Sequence, residues 1–233
     1  MKRLFSADPQ APLTVEQLHY LRDVLRLSDG EVIEVFDGRG AAWRAELRGE
    51  RLLLHERLPR SQRALDVTLV QALARGEKMD LVVQKATELG AARIVPLRSE
   101  RSEVKLDAGR GAAKQERWQR IAQEAARQSG RADVPRVDAP CGWADVHQLL
   151  RGEPDRRGLL LDPEAALKLG DAARGAGKLL LAIGPEGGFS PQERTEALQN
   201  GFTGAALGRL VLRTETSGLA ALAIALHVNG ELG

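Results

Sequence analysis

The chain has 233 residues, 43 % of them hydrophobic and 28 % charged, with a formal net charge of +2. This is the composition of an ordinary globular chain and excludes a disordered or polycationic molecule. No apolar run reaches the length of a membrane span, and the single cysteine, Cys141, excludes a disulfide framework. Met1-Lys2-Arg3-Leu4-Phe5 leads directly into polar and proline residues, so the expectation is a cytoplasmic protein with no signal peptide. His19, His55, His147 and His227 share no metal-ligand spacing, and no metal site is expected.

Thr14 to Leu27 carries Leu18, Leu21, Val24 and Leu25 at helical spacing. Strand-like pieces follow at Glu31–Phe36, Ala41–Leu47 and Arg51–Leu58, separated by the hairpin signals Asp37-Gly38-Arg39-Gly40 and Gly49-Glu50. Pro59 to Arg63 reads as a linker. Beyond it strands and helices alternate. Strands are expected at Val67–Ala72, Ala92–Leu97, Val134–Asp138, Gly158–Leu161, Lys178–Ile183 and Ala205–Leu207. Helices are expected at Glu77–Leu89, Ala112–Gln128, Gly142–Leu150, Pro191–Asn200 and Thr214–Val228, with Gly170 to Gly177 a flexible loop. Alternation of this kind implies a parallel sheet between helix layers. Leu219 to Leu226 is apolar on every face, so both sides of the last helix require cover, from the core or from a second subunit.

Positive charge is local. From Arg93 to Arg136 there are 11 Lys or Arg against 6 Asp or Glu, a net +5. Arginine dominates, and its planar fork suits phosphate, so this window is a candidate nucleic-acid surface. The most informative stretch is Leu179 to Glu193. An apolar strand ends in Gly184-Pro185-Glu186-Gly187-Gly188 and feeds a helix capped by Ser190, with Pro191 at its first position and Glu193 three residues after the cap. Glycines there bring bare backbone close to a ligand.

A second loop has the same grammar: Ala206-Leu207-Gly208-Arg209-Leu210-Val211-Leu212 runs into Arg213-Thr214-Glu215-Thr216 and an apolar helix. Arg213 and Glu215 are unusual directly before such a helix, although Glu215 also suits the helix dipole. Nucleotide fingerprints fail. Gly38-Arg39-Gly40 has Trp43 where a third glycine is needed, and Gly170 and Gly175 are followed by Ala176 in place of lysine.

Gly184 to Gly188 together with Leu212-Arg213-Thr214-Glu215-Thr216 resembles the bacterial 16S ribosomal RNA uridine-N3 methyltransferases (the RsmE family, of the SPOUT class). Gln84-Lys85-Ala86-Thr87-Glu88-Leu89-Gly90 and Arg120 to Arg131 extend the resemblance, which spans essentially the whole chain. It implies a PUA-like RNA-binding β-barrel over 1–63 and, over 64–233, a SPOUT-type α/β methyltransferase domain with a parallel sheet and a trefoil knot. It further implies a homodimer that binds S-adenosylmethionine, releases S-adenosylhomocysteine and acts on 16S ribosomal RNA within the small ribosomal subunit. By the same resemblance the cofactor is held by Leu161, Ile183, Gly184, Pro185, Glu186, Gly187, Gly188, Leu207, Gly208, Leu210, Leu212 and Thr216. Leu210 stands where the family usually has arginine.

Methylation of a uracil nitrogen requires positioning and removal of the N3 proton. Glu186 and Glu215 are candidate proton acceptors, and Arg213 a candidate stabiliser of charge on the uracil oxygens. Candidate RNA contacts are Arg22, Arg26, Arg98, Arg101, Arg127 and Arg131. Aromatic residues are only 3 % of the chain, so stacking platforms are scarce; Trp43, Tyr20, Phe36 and Phe189 are the candidates. A side chain at Gly187 is expected to fill the adenosine space. Two alternatives fit the same motifs: a knotted enzyme acting on another RNA position such as a ribose 2′-hydroxyl, and a non-catalytic RNA-binding assembly factor.

Overall fold

A computed structural model of the chain describes residues 2–59, 64–102, 104 and 108–233. Of the expected linker, Arg60 to Arg63 lies outside the described residues. The chain divides into two compact units, Met1–Gln62 with Gln123–Val134, and Arg63–Ala122 with Pro135–Gly233.

The first unit is a four-stranded sheet in the order β1 (Arg3–Phe5), β2 (Val32–Phe36), β3 (Ala42–Arg48), β4 (Arg51–Arg57). Strand β1 was not legible as such; it is three residues long and pairs parallel with β2. Helix α1 (Val15–His19) starts at a Thr14–Gln17 capping box and passes directly into a π-helical turn, Tyr20–Val24. The expected single helix is thus two geometries. Leu13, Leu21 and Leu27 bury with Leu4, Ile33, Val35, Ala45, Leu47 and Leu52. Within this unit Arg3 ties the sheet to the end of the long helix α3 (Ala108–Gln128) and the turn after it: its guanidinium donates to the carbonyls of Ala126, Arg127 and Arg131 and pairs with Glu34 at 2.7 Å.

The second unit is a six-stranded, wholly parallel sheet. Its strands are β5 (Asp66–Ala72), β6 (Arg93–Leu97), β7 (Arg136–Val137), β8 (Arg156–Leu161), β9 (Lys178–Ile183) and β10 (Phe202–Ala205), in the order β10-β8-β9-β5-β6-β7. Residues 179–183 of β9 are all buried, as expected for a strand covered on both faces. Between the strands run α2 (Lys78–Leu89), α3, α4 (Trp143–Arg151), α5 (Leu169–Ala173), α6 (Pro191–Gln199) and finally α7 (Thr214–Val228).

Two expectations are corrected. Residues 170–177 are not simply a loop: α5 forms there because Leu169, Ala172 and Ala173 bury against the sheet and α7. Strand β10 lies at Phe202–Ala205, three residues before the expected position, because pairing with β8 begins at Phe202 opposite Gly158. Helix α7 packs on α2, α5, β5 and β9 through Ala221, Leu222, Ala225 and Leu226, while Leu219, Ala220, Ala223 and Ile224 stay half-buried. Its second face is therefore only partly covered in the single chain.

Candidate active site

At the carboxyl ends of β8 and β9 the two glycine-containing loops come together around a cavity of about 470 Å³. This is where an open parallel sheet places ligands, and the volume is in the range of small-molecule sites. The walls are Leu161, Pro163, Ile183, Leu207, Leu210, Val211 and Leu212; the backbone of Gly184 to Gly188 and Gly208 forms much of the rest, with Arg213, Thr214 and Ser217. The polar groups on offer are therefore mostly peptide groups.

Local chemistry shapes the first loop. Pro185 accepts from Gly188 N at 2.9 Å, closing a turn that leaves Gly188 at φ 65°, where a side chain is strained. Ser190 then caps α6, accepting from Glu193 N at 3.2 Å. Glu193 does more than complete the capping box. Its buried carboxylate accepts from Ser190 N at 2.8 Å, Trp143 Nε1 at 2.9 Å, Glu100 N at 3.0 Å and Ser99 Oγ at 3.1 Å. Burial pushes this carboxyl up, but the four donors outweigh it and hold it below the usual carboxylate range. From the same β6 loop, Arg101 donates to Gly187 O at 3.0 Å.

The second loop is joined to the first through a buried chain. Gln71 Nε2, at the end of β5, donates to Thr214 Oγ1 at 2.8 Å, and that hydroxyl donates to Gly184 O at 2.6 Å. A Cβ added at Gly218, one turn on, would collide with Gln71 Oε1. Glycine there lets α7 approach β5 closely.

Three comparisons with known proteins bear on this geometry. The family described as "RNA methyltransferase domain" matches residues 61–226, and the "RNA methyltransferase PUA domain" matches residues 13–53. Ribosomal RNA small subunit methyltransferase E of Synechocystis is 37 % identical over 223 residues, covering 91 % of this chain and 71 % of the relative. The Bacillus subtilis protein of that name is 32 % identical, covering 95 % and 91 %. The chain belongs to the ribosomal RNA small subunit methyltransferase E family. A solved member from Neisseria gonorrhoeae, described as bound to S-adenosyl methionine, superposes with a TM-score of 0.87 at 32 % identity, covering 98 % of both chains. The fold is accordingly that of the family, an RNA methyltransferase PUA domain with an α/β RNA methyltransferase domain built on a parallel sheet.

Of the residues that membership in this family suggested for the cofactor, all but Thr216 line the cavity. Thr216 is exposed on the first turn of α7; Thr214 and Ser217, three apart on one helix face, point to the cavity instead. A Cβ at Gly187 would meet the Arg101 side chain at 3.7 Å, an ordinary contact, so that glycine lies between the cavity and the β6 loop.

The three candidate catalytic residues differ in state. Arg213 is exposed at the cavity and forms no ion pair among the described residues. Glu186 is held by Lys78, 2.6 Å away at the start of α2. Partial burial raises the Glu186 carboxyl, but the Lys78 ammonium and a backbone donor bring it below its ordinary value. Glu215 is buried, 3.6 Å from the same ammonium, with its Oε2 lacking a hydrogen bond. Lys78, which sequence reasoning missed, thus spans the glycine turn and the first turn of α7. Lys78→Met is expected to weaken cofactor binding by up to about tenfold in calorimetry with little change in melting temperature, since a partly exposed ion pair adds little stability. Lys78→Arg retains binding in that scheme, and unchanged affinity in Lys78→Met would show the bridge to be idle.

The candidate RNA arginines also separate. Arg98 and Arg101 are exposed in the second unit, Arg101 beside the glycine turn, and Arg26 is exposed in the first. Arg131 is buried and pairs with Asp133 at 2.6 Å, and Arg127 lies over Tyr20 at 4.3 Å and pairs with Glu124. Both are committed to packing inside the first unit, as is Arg22, held by Leu27 O and Asp29. Phe36 and Phe189 are core residues, the latter edge-on to Trp143 at 5.1 Å, so neither is a stacking platform. Among the described residues no cluster of three metal-ligating side chains occurs, and no helix is long and apolar enough to cross a membrane.

Proposed function

We propose that this chain methylates N3 of a uridine in 16S ribosomal RNA, with S-adenosylmethionine as donor and S-adenosylhomocysteine as product, acting in the cytoplasm on the small ribosomal subunit. The observation that carries this reading is the meeting of residues 184–188 and 207–212 around one largely apolar cavity at the carboxyl ends of parallel strands. The cofactor fits that donor set: peptide groups suit an adenine edge, and Leu161, Ile183 and Leu212 suit its faces. When bound, S-adenosylmethionine supplies an activated methyl group, so neither a metal nor a covalent intermediate on the protein is needed.

The protein's share is positioning and charge. Arg213, exposed at the cavity and without an ion pair among the described residues, is placed to stabilise negative charge on the uracil oxygens. Glu186 lines the cavity and Glu215 is buried behind it, both beside the Lys78 ammonium, so either carboxylate, or a water held by them, is the candidate proton acceptor. N3 is accessible only in an unpaired or extruded base. The exposed Arg98, and Arg101 beside the glycine turn, suit the flanking phosphates. The half-buried face of α7 and the exposed Leu210 and Val211 support a homodimer that covers them. The trefoil knot belongs to the same reading, with α7 tied under the glycine loop through Thr214.

The test is transfer of labelled methyl from S-adenosylmethionine to free small-subunit RNA and to whole subunits lacking the modification, followed by digestion to nucleosides and mass analysis. The expected product is 3-methyluridine. A 2′-O-methyl nucleoside, or no binding of the donor, would refute the assignment.

A further inference from the structure

Among the described residues Arg26 is the only one other than glycine with a positive φ, 53°. The left-handed region brings a side chain's Cβ against the following carbonyl oxygen, so an arginine there is strained and glycine or asparagine is the usual occupant. Arg26 comes two residues after the π-helical turn Tyr20–Val24, a geometry that concentrates at functional positions.

The surroundings hold this strain from both sides. Leu25 N donates to Tyr20 O at 2.9 Å and Leu27 N to Leu21 O at 2.9 Å, and the Leu21 and Leu27 side chains are buried. The two flanking carbonyls are each taken by a cation: Leu25 O accepts from Lys2 Nζ at 2.9 Å, and Leu27 O from Arg22 Nη1 at 3.0 Å. Lys2 and Arg22 have acidic partners of their own, Glu31 at 3.7 Å and Asp29. Arg26 is exposed, and among the described residues its guanidinium has no hydrogen bond or ion pair. Nothing in the packing calls for an arginine at this position; what the turn does is present one free guanidinium at a fixed place.

We propose that Arg26 is a dedicated phosphate contact, presented by a strained turn of the first unit to a phosphodiester of the RNA substrate. This rests on the RNA-methylation reading above. The planar fork favours phosphate. Strain held in place by over-determined surroundings is a known accompaniment of ligand-contacting sites.

Two variants of the full chain test it. Arg26→Gly removes both the strain and the charge; Arg26→Gln keeps the strain and removes only the charge. Both are expected to bind free small-subunit RNA about five- to tenfold more weakly at low salt, with the slope of log affinity against log salt reduced by about one. KM for RNA is expected to rise, with kcat at saturating RNA and affinity for S-adenosylmethionine unchanged. Arg26→Gly is also expected to melt no lower than the parent, because the left-handed backbone is relaxed. Unchanged RNA affinity and salt slope in both variants, while the parent methylates RNA, would overturn this inference alone. Failure of the parent itself to methylate RNA would instead sink the functional reading beneath it. Normal binding of free RNA with loss of activity only on assembled subunits would assign Arg26 to a protein contact and overturn the phosphate role.

Discussion

Thr214→Val is expected to destabilise the second unit by about 3 kcal/mol and to weaken S-adenosylmethionine binding at least about tenfold, a large effect for the loss of one hydroxyl. The Thr214 hydroxyl both accepts from Gln71 Nε2 and donates to Gly184 O, so valine leaves a buried amide and a half-buried carbonyl unpaired at once. Gln71 is fully buried, and among the described residues its one other donor contact, to Ala72 O at 3.5 Å, is marginal. At about 2–4 °C per kcal/mol for a chain of this size, the shift in melting temperature is roughly 6–12 °C. The double variant Gln71→Leu, Thr214→Val separates stability from positioning. Leucine removes the stranded amide and is expected to restore much of the melting temperature, while Gly184 remains untied and donor affinity stays low. Recovery of affinity together with stability would mean that the hydrogen bonds serve the fold and not the ligand.

That network marks the limit of what the sequence made legible. The glycine turn, its Ser190 cap and the entry to α7 are written in consecutive residues, and so they were readable as loops that bare their backbone to a ligand. The Gln71–Thr214 pair joins residues 143 positions apart, and Lys78 meets Glu186 across 108. Neither spacing leaves a local pattern. The same holds at small scale. Leu18, Leu21, Val24 and Leu25 signalled a helix, but not that its end would widen into a π turn, since side-chain spacing says little about which carbonyl a given N–H selects. Strand β1 has too few residues to show alternation, and α5, five residues beginning Leu-Gly-Asp, owes its shape to burial against α7 and not to propensity. Arg131 illustrates the opposite error. It stands in the most basic window of the chain, yet Asp133 two residues later takes its charge, and local net charge does not reveal which arginines are free.

Glu193 should show the second large effect, and one with a pH signature. Its carboxylate gathers the amide of Glu100, the hydroxyl of Ser99, the indole of Trp143 and the amide of Ser190, so three segments of the second unit (the β6 loop, the start of α4 and the end of the glycine loop) converge on one charge. Glu193→Ala strands these donors, and a loss of about 3–5 kcal/mol is expected, given the cost of leaving buried partners of a charged group unpaired. Glu193→Gln keeps the shape but turns one acceptor into a donor that faces donors, and is expected to lose somewhat less. The folded-state carboxyl lies below its ordinary value, so the stabilisation from this charge is fully present above the unfolded value of about 4.3 and disappears as the pH falls through the depressed folded value. The stability gap between the parent and Glu193→Gln should therefore be constant above about pH 6 and narrow on acidification below about pH 4. Urea titrations at a series of pH values measure that gap. A gap that stays the same down to about pH 3 would mean that packing, and not the buried charge, accounts for the residue. Because Ser190 ends the glycine loop and Arg101 reaches Gly187 from the same strand end as Ser99, the loss should extend to the ligand. Donor affinity in Glu193→Gln is expected to fall together with the acid-sensitive part of the stability, since the charge that closes the capping box also sets the position of the turn that faces the cavity.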